Sequence, residues 1–128
     1  NIVIFASIYL TWRYMKTFIR IMKALSDPNR VKIIKLLKQK ELCVCEMTAL
    51  LGLAQPTVSK HLKNLEDAGL VASSREGSWV NYRLAAGDES VYAETMLNNL
   101  AGWLDDDPQI QEILARLPQV DRERICAA

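Results

Sequence analysis

Two cysteines separated by one residue, Cys43 and Cys45, are the side chains with the clearest capacity for chemistry. Thiolates bind soft metal and metalloid ions, and a helix N-terminus lowers the pKa of a thiol, which favours the form that binds. Side chains two positions apart point about 200° apart on an ideal helix but share a face on an extended chain. The pair can therefore chelate one ion only if its segment is extended or becomes extended, at the expense of the helix that follows.

A third cysteine, Cys126, stands near the end of the 128-residue chain. Three is an odd number and no secretory pattern is recognisable, so the sequence predicts free thiols in a reducing cytoplasm. Half of the residues are hydrophobic, which is enough for the core of one folded domain. The apolar stretch 1–10 is too short to span a bilayer and has no basic region before it, so no membrane partner is predicted.

Charge is divided unevenly along the chain. Residues 1–83 carry 13 Lys and Arg against 6 Asp and Glu, whereas residues 84–128 carry 3 against 9, within a net charge of +1. A basic part of +7 is suited to a polyanion, and an acidic part of −6 is not. Charge alone fits two solvated faces equally well, so the choice depends on the motifs.

Apolar periodicity and capping residues divide the chain into short helices and one hairpin. The predicted helices are 16–25, 28–38, 45–51, 55–68, 89–104 and 110–117, with an extended piece at 42–44 and strands at 70–74 and 78–84. In the fourth helix Val58, Leu62 and Leu65 form one apolar stripe. A short helix, a glycine turn, an amphipathic helix and a hairpin in this order predict a winged helix-turn-helix, mainly α with a small β wing.

The face of residues 55–68 opposite the apolar stripe is polar and predicts a surface that reads DNA. Lys donates to guanine acceptors or phosphate, Asn can pair with adenine, and the start of a recognition helix meets base edges. The predicted DNA contacts on this face are Gln55, Pro56, Thr57, Ser59, Lys60, Lys63 and Asn64, with Arg75 at the tip of the wing. The alternative is an ordinary solvated helix, which the preceding helix and the following wing disfavour.

His61, the only histidine, lies at the border of the apolar stripe. It has no Asp, Glu or Cys at a spacing typical of a metal site, so we interpret it as a packed or phosphate-contacting residue.

Four ordered segments closely resemble the ArsR/SmtB repressors, and most closely their arsenic-responsive branch: Ala24–Arg30, Glu41–Glu46, Gln55–Leu62 and Gly77–Leu84. The resemblance covers roughly residues 18–103 and implies a cytoplasmic homodimer whose first and penultimate helices form the interface. Such a dimer stays on its operator until an inducer releases it. The positions that the resemblance places on DNA are Gln55, Thr57, Ser59, Lys60, His61 and Lys63.

The resemblance also makes Cys43 and Cys45 the thiolates that bind the inducer. The arsenic branch often has a further cysteine where this chain has Thr48, so Cys126 is slightly favoured as third ligand over a site completed by water or a small thiol. The cadmium and lead branch needs cysteines before Cys43, and the zinc branch needs histidine in the helix 89–104; neither is present. Trivalent arsenic or antimony is the implied inducer, and no organic cofactor is expected.

We divide the chain into an apolar N-terminal extension (1–14), a winged helix-turn-helix domain with dimerisation helices (15–104), and an acidic C-terminal helix and tail (105–128). Met15 stands where a compact domain would begin, which raises the hypothesis that residues 1–14 are not native. The serine usual before Gln55 is replaced by Ala54, which predicts a weaker cap on the recognition helix.

Three other interpretations stay open. The same scaffold could sense oxidants, with Cys43 or Cys45 forming a sulfenic acid or a disulfide, for which Cys126 is a candidate partner. A thiol oxidoreductase is disfavoured because no Gly-rich phosphate loop, nucleophile with a paired base, or catalytic carboxylate pair is recognisable, so no enzyme is predicted. The third is a protein-interaction module that has lost DNA binding.

Overall fold

The helices and strands follow the order expected of a winged helix-turn-helix in a computed structural model that describes residues 14–86 and 90–126. The helices are α1 (14–24), α2 (Pro28–Gln39), α3 (Val44–Leu51), α4 (Gln55–Asp67), α5 (Val91–Leu100), α6 (Pro108–Arg116) and α7 (Arg122–Ile125), with a 3-10 turn at Leu117–Gln119. The strands are β1 (Leu42–Cys43), β2 (Val71–Glu76) and β3 (Trp79–Leu84). The described ranges contain no helix long and apolar enough to cross a membrane. Apart from residue 14, the N-terminal extension lies outside the described residues.

Most of the longer helices begin at a side chain that caps them. Asp27 accepts hydrogen bonds from two backbone N–H groups at the start of α2. Ser90 and Asp107 are the corresponding N-cap residues of α5 and α6, and their side chains also accept from backbone N–H groups. Ala54 precedes α4 without any side-chain cap, as the sequence predicted. Packing of its buried face therefore stabilises α4 without a hydrogen bond from an N-cap side chain.

The core is formed by the apolar stripes of the helices. Val58, Leu62 and Leu65 of α4 are fully buried, as the periodicity predicted, and meet Met47 and Leu50 of α3 in the same cluster. Contact between α3 and α4 makes the two helices one packed unit. We therefore expect a shift of α3 to displace α4 as well.

The three strands form one antiparallel sheet in the order β1-β3-β2, in which Cys43 pairs with Asn81 and Glu76 with Trp79. The sequence predicted a loop from Arg75 to Gly77, and this is wrong: Arg75 and Glu76 are paired strand residues. The turn is shorter because Gly77 takes a φ of 61°, a conformation that lets two residues close a hairpin.

The predicted helix 89–104 is also wrong in its extent, because α5 ends at Leu100 and Trp103 is 51% exposed. The buried Lys35 of α2 explains this end. Its Nζ donates to the carbonyl oxygens of Leu100 (2.8 Å) and Trp103 (2.8 Å) and to Asp105 Oδ1 (2.7 Å). These bonds hold the last carbonyls in a turn, which the periodicity of the apolar residues does not reveal. Residues 87–89 lie outside the described ranges.

Candidate nucleic-acid interface and thiol site

The outer face of α4 gathers nearly all of the predicted DNA contacts on one exposed surface. This surface is opposite the buried stripe of Val58, Leu62 and Leu65. The exposed members are Gln55, Pro56, Thr57, Ser59, Lys60, Lys63 and Asn64. Donors and acceptors of this kind, on a helix that is free on its outer side, fit the edges of bases and the phosphates of a major groove.

Lys63 differs from the other members because it is already paired. Its Nζ lies 2.9 Å from Asp67 Oδ1, one helical turn away. The hydrogen bond and the charge of Asp67 raise the pKa of Lys63. The predicted DNA contact of Lys63 would require this side chain to exchange the carboxylate of Asp67 for a phosphate or a base. Asp67 was not predicted as a residue of this surface, although its i, i+4 spacing from Lys63 is visible in the sequence.

His61 is half-buried and holds α4 against α1 and α2. Its Nδ1 lies 3.2 Å from Nη1 of Arg30, whose other nitrogens donate to the carbonyl oxygens of Ala24 (2.6 Å) and Lys23 (3.2 Å). A guanidinium can only donate, so Nδ1 is the acceptor of this hydrogen bond. The sequence left open whether His61 is a packed or a phosphate-contacting residue, and the contacts in the structure are those of a packed residue.

The hairpin β2–β3 is the wing, and it is fastened to the recognition helix at its base. Ser73 Oγ of β2 donates to Glu66 Oε2 of α4 at 2.9 Å. Arg75 is exposed near the tip, as expected for a residue that reaches the DNA backbone.

The two cysteines of the Cys-x-Cys pair occupy different elements. Cys43 ends β1 and is the N-cap of α3 with an extended backbone, whereas Cys45 is inside the first turn of α3. Only Cys43 has the extended conformation that would place both thiols on one face. In this conformation the pair therefore lacks the geometry for chelation that the sequence analysis required.

The environment of Cys43 also overturns the expectation of a lowered thiol pKa. Burial raises the pKa of Cys43 above its ordinary 9.0, and the carboxylate of Glu46 adds to the rise. Cys43 is 2% exposed and Glu46 is 5% exposed. Glu46 Oε1 accepts the backbone N–H of Cys43 at 3.0 Å, as in a capping box. Loss of solvent therefore outweighs the favourable helix terminus.

Cys126 lies against Cys45 although 81 residues separate them in sequence. Their sulfur atoms form a disulfide, and their Cα atoms are 5.9 Å apart. The segment beyond Pro118 reaches Cys45 because α7 packs on α3. Arg116 Nη2 also donates to the carbonyl oxygen of Leu50, at the other end of α3, at 2.8 Å. The acidic C-terminal segment therefore contacts α3 at both of its ends.

Within residues 14–86 and 90–126, no three or more His, Cys, Asp or Glu side chains are placed to hold a metal ion together. Cys45 and Cys126 meet, and Cys43 stands two residues away at the head of the same helix. Asn81 and Arg122 lie beside this site, and neither was predicted from the sequence to belong to it. Asn81 lies two residues before the exposed Arg83 on the same face of β3, yet it is buried, and Arg122 of the C-terminal segment donates a hydrogen bond to it.

The arrangement of α3, a glycine turn, α4 and the β2–β3 hairpin defines a winged helix-turn-helix DNA-binding protein. Residues 27–73 match the bacterial regulatory proteins of the arsR family. The arsenic resistance transcriptional regulator ArsR1 of Pseudomonas putida is 45% identical over 92 residues, 68% of this chain and 71% of the relative. The arsenical resistance operon repressor of Escherichia coli is 32% identical over 114 residues, 85% of this chain and 95% of the relative.

A solved structure agrees with these relatives. The homodimeric winged helix-turn-helix DNA-binding domain of a possible ArsR-family regulator from Mycobacterium bovis superposes with a TM-score of 0.60 at 30% identity, covering 70% of this chain and 83% of that one. The chain belongs to the ArsR family and is a DNA-binding transcriptional regulator.

Proposed function

We propose that the chain is a homodimeric repressor that leaves its operator when trivalent arsenic or antimony binds its cysteine thiolates. The observation that carries the proposal is the gathering of Cys43, Cys45 and Cys126 at the head of α3, the first helix of the DNA-binding unit. The relatives from P. putida and E. coli that are named for arsenic resistance support this choice of inducer.

Operator binding is assigned to the outer face of α4 and to the wing. In a dimer, two copies of α4 would enter successive major grooves, with half-sites roughly 34–36 Å apart. Gln55 and Thr57 stand at the start of the helix, where base edges are met, whereas Lys60 and Arg75 supply positive charge for bases or phosphate. His61 contributes by holding α4 at its angle through Arg30.

The dimer interface is assigned to α1 and α5, which together present apolar side chains to solvent. Met15 is 60% exposed and Val91 is 64% exposed, and Phe18 joins the two helices by an edge-to-face contact with Tyr92 at 5.6 Å. A second copy of the chain would bury this surface. The M. bovis domain, from a possible ArsR-family regulator, is homodimeric, which supports the assignment.

The donor set fits a soft trivalent ion, since thiolates are the protein ligands that such ions prefer. Each arsenic–sulfur bond forms as one hydroxyl of arsenous acid leaves as water with the proton of the thiol. To join Cys45 in such a site, Cys43 must leave its place as N-cap, which breaks its bond to Glu46 and its pairing with Asn81. To reverse a 99:1 population, the inducer must favour the released state by about 5.5 kcal/mol.

The experiment is a titration of arsenite into the fully reduced protein bound to a fluorescent operator, followed by anisotropy. We expect arsenite to release the wild-type chain, and Cys45→Ser to bind the operator normally but stay bound in arsenite. Ala49→Ser, at an exposed position of the same helix, is the matched control and should respond like the wild type. Release of Cys45→Ser at the wild-type arsenite concentration would contradict the proposal.

The same titration tests Cys126 as the third ligand. Cys126→Ser should need more arsenite for release if its thiol takes part, because one arsenic–sulfur bond is lost. An unchanged midpoint would assign the site to Cys43 and Cys45 alone, completed by water or a small thiol.

The disulfide between Cys45 and Cys126 favours a second candidate, a repressor on the same fold that responds to oxidants. With a peroxide as oxidant, one thiolate takes an oxygen atom to become a sulfenic acid and hydroxide leaves; the other thiol then displaces the sulfenic oxygen as water. Under this alternative, peroxide releases the reduced wild-type chain, a thiol reductant restores binding, and Cys126→Ser does not respond. Arsenite would then leave the reduced protein on its operator.

A further inference from the structure

The single turn α7 connects the thiol site to the wing. At its first residue, the guanidinium of Arg122 donates from Nη1 to Asn81 Oδ1 at 3.0 Å and from Nη2 to Glu76 Oε1 at 3.2 Å. The same group lies 5.0 Å from the ring centre of Trp79. Just beyond its other end, Cys126 is bonded to Cys45 of α3. One short segment therefore contacts both the wing, which is proposed to bind DNA, and the thiol site, which is proposed to bind the inducer.

The three partners of Arg122 form a closed set at the wing. Glu76 Oε2 accepts a hydrogen bond from Asn81 Nδ2 at 2.8 Å, and Glu76 pairs with Trp79 across the turn. Asn81 is also the cross-strand partner of Cys43 in β1. Arg122 therefore contacts β3 at Asn81, the residue at which the wing pairs with Cys43 of β1.

The position of α7 depends on its two ends. A single helical turn has little stability of its own, so outside contacts must hold it. The side chain of Arg122 is 24% exposed and its fork of donors fixes direction as well as distance. Arg124 lies on the same turn, but its side chain is 76% exposed and its ion-pair partner is Asp121, at 3.9 Å.

We propose that Arg122 is a positioning residue for the wing, through which the state of the Cys45 and Cys126 thiols sets how strongly the operator is held. When Cys126 is tied to the head of α3, by the disulfide or by a shared inducer, α7 is anchored at both ends and Arg122 holds Glu76 and Asn81. When Cys126 is free, α7 loses one anchor and the wing is released from Arg122. The inference rests on the proposed thiol site and adds a second path from that site to DNA.

The wing itself reports the contact, because Trp79 lies against Arg122. In a chain with Trp12→Phe and Trp103→Phe, Trp79 is the last of the three tryptophans. We expect its fluorescence to change when a phosphine reduces the Cys45–Cys126 disulfide. The change should disappear in Arg122→Ala and persist in the control Arg124→Ala. An equal change in Arg122→Ala would overturn the proposal.

Operator affinity is the functional readout. The disulfide and reduced forms of the wild-type chain should differ in affinity by a factor within the usual range of coupling, roughly 5- to 150-fold. Arg122→Ala should bring this ratio close to one without changing how readily the disulfide forms, whereas Arg124→Ala keeps it. Glu76→Gln removes the charge of the wing residue that accepts from Arg122, and it should also lower the affinity ratio. This variant tests the proposal even if Arg122→Ala disturbs folding.

The outcomes separate this inference from the proposed function. The role of Arg122 would be overturned if the disulfide and reduced forms of the wild-type chain bound the operator equally well. It would also be overturned if Arg122→Ala and Glu76→Gln both kept the affinity ratio of the wild type. In either case arsenite could still release the operator. If arsenite fails to release the wild-type chain but the ratio depends on Arg122, the inducer assignment fails and the wing contact stands.

Discussion

The outer face of α4 and the head of α3 lie on neighbouring helices but are built in opposite ways. The α4 face consists of exposed side chains, of which Lys63 is paired with Asp67. At the head of α3, Cys43 and Glu46 are buried and tied to each other, and Cys45 is joined to the C-terminal segment. In the proposed function, the side chains that read DNA are ones that folding does not need, whereas the side chains that bind the inducer also hold the fold together.

This difference explains how a small inducer could act on the whole domain. A ligand on an exposed face changes little beyond that face, because few contacts link it to the core. A ligand that draws Cys43 out of the capping box removes bonds on which α3 depends, and α3 packs directly on α4. Substitutions in the two regions should therefore have separable effects on stability and on operator binding.

The largest expected effect is on stability, at the head of α3. Glu46→Ala removes the acceptor of the Cys43 N–H, a buried group that would then have no partner, and should lower the free energy of unfolding by about 3 kcal/mol. Denaturant unfolding measures this loss. Glu46→Gln keeps an acceptor oxygen and should lose less than half as much. A Glu46→Ala chain as stable as the wild type would show that the head of α3 is not braced in this way.

On the other side of the comparison, Lys60→Ala should act on DNA binding alone. Removal of this exposed charge should weaken operator binding by about 1–2 kcal/mol while the free energy of unfolding changes by less than about 0.5 kcal/mol. Fluorescence anisotropy and denaturant unfolding measure the two effects. Lys38→Ala removes the same charge from the end of α2 and serves as the control; an equal loss of affinity in both variants would mean that Lys60 contributes only general charge.

The raised pKa of Cys43 makes stability depend on pH in the alkaline range. The folded-state pKa lies above the unfolded value of 9.0, so stability is complete below pH 9 and is lost as pH rises through the folded value. The slope is at most about 1.4 kcal/mol per pH unit for one proton. Cys43→Ser should abolish this slope in unfolding experiments on the disulfide form, in which Cys45 and Cys126 do not titrate.

Tyr82 is the control for that experiment, because burial also raises its pKa, from 10.0. Tyr82→Phe should remove only the loss of stability that begins above pH 10. If Cys43→Ser and the wild type lose stability in parallel from pH 9 upwards, the burial of the thiol is not the cause.

The smallest expected effect is at the start of α4, where the cap is missing. Ala54 has the extended backbone of an N-cap residue, so Ala54→Ser should accept a backbone N–H and raise the free energy of unfolding by about 0.5–1 kcal/mol. Thermal unfolding detects this gain, and operator binding should stay the same. No gain in Ala54→Ser would mean that packing already holds the first turn of α4 in full.

Local patterns were sufficient for the part of the molecule proposed to read DNA. The spacing of Val58, Leu62 and Leu65 allows one buried face for a helix, so it also determines which residues point outward, and the structure agrees at both faces. The absence of a cap at Ala54 was visible for the same reason, because a cap involves residues within one turn.

The site at the head of α3 shows where such reasoning stops. The spacing of Cys43 and Cys45 showed that chelation needs an extended segment, but β1 ends between them because only Cys43 pairs with β3. The lowered thiol pKa was inferred from the helix terminus alone, and burial reversed it. Solvent exposure is a property of the packed chain and is not encoded in two residues.

The sequence by itself determined the order of the helices α1–α6 and of the strands, and the outward face of α4, because those follow from contacts within a few residues. Only the tertiary structure decided that Lys35 ends α5, that Arg122 covers Asn81 and that Cys126 meets Cys45. Each of these contacts joins residues that lie far apart in sequence, so it exists only after the helices have packed, and no periodicity within either segment specifies its partner.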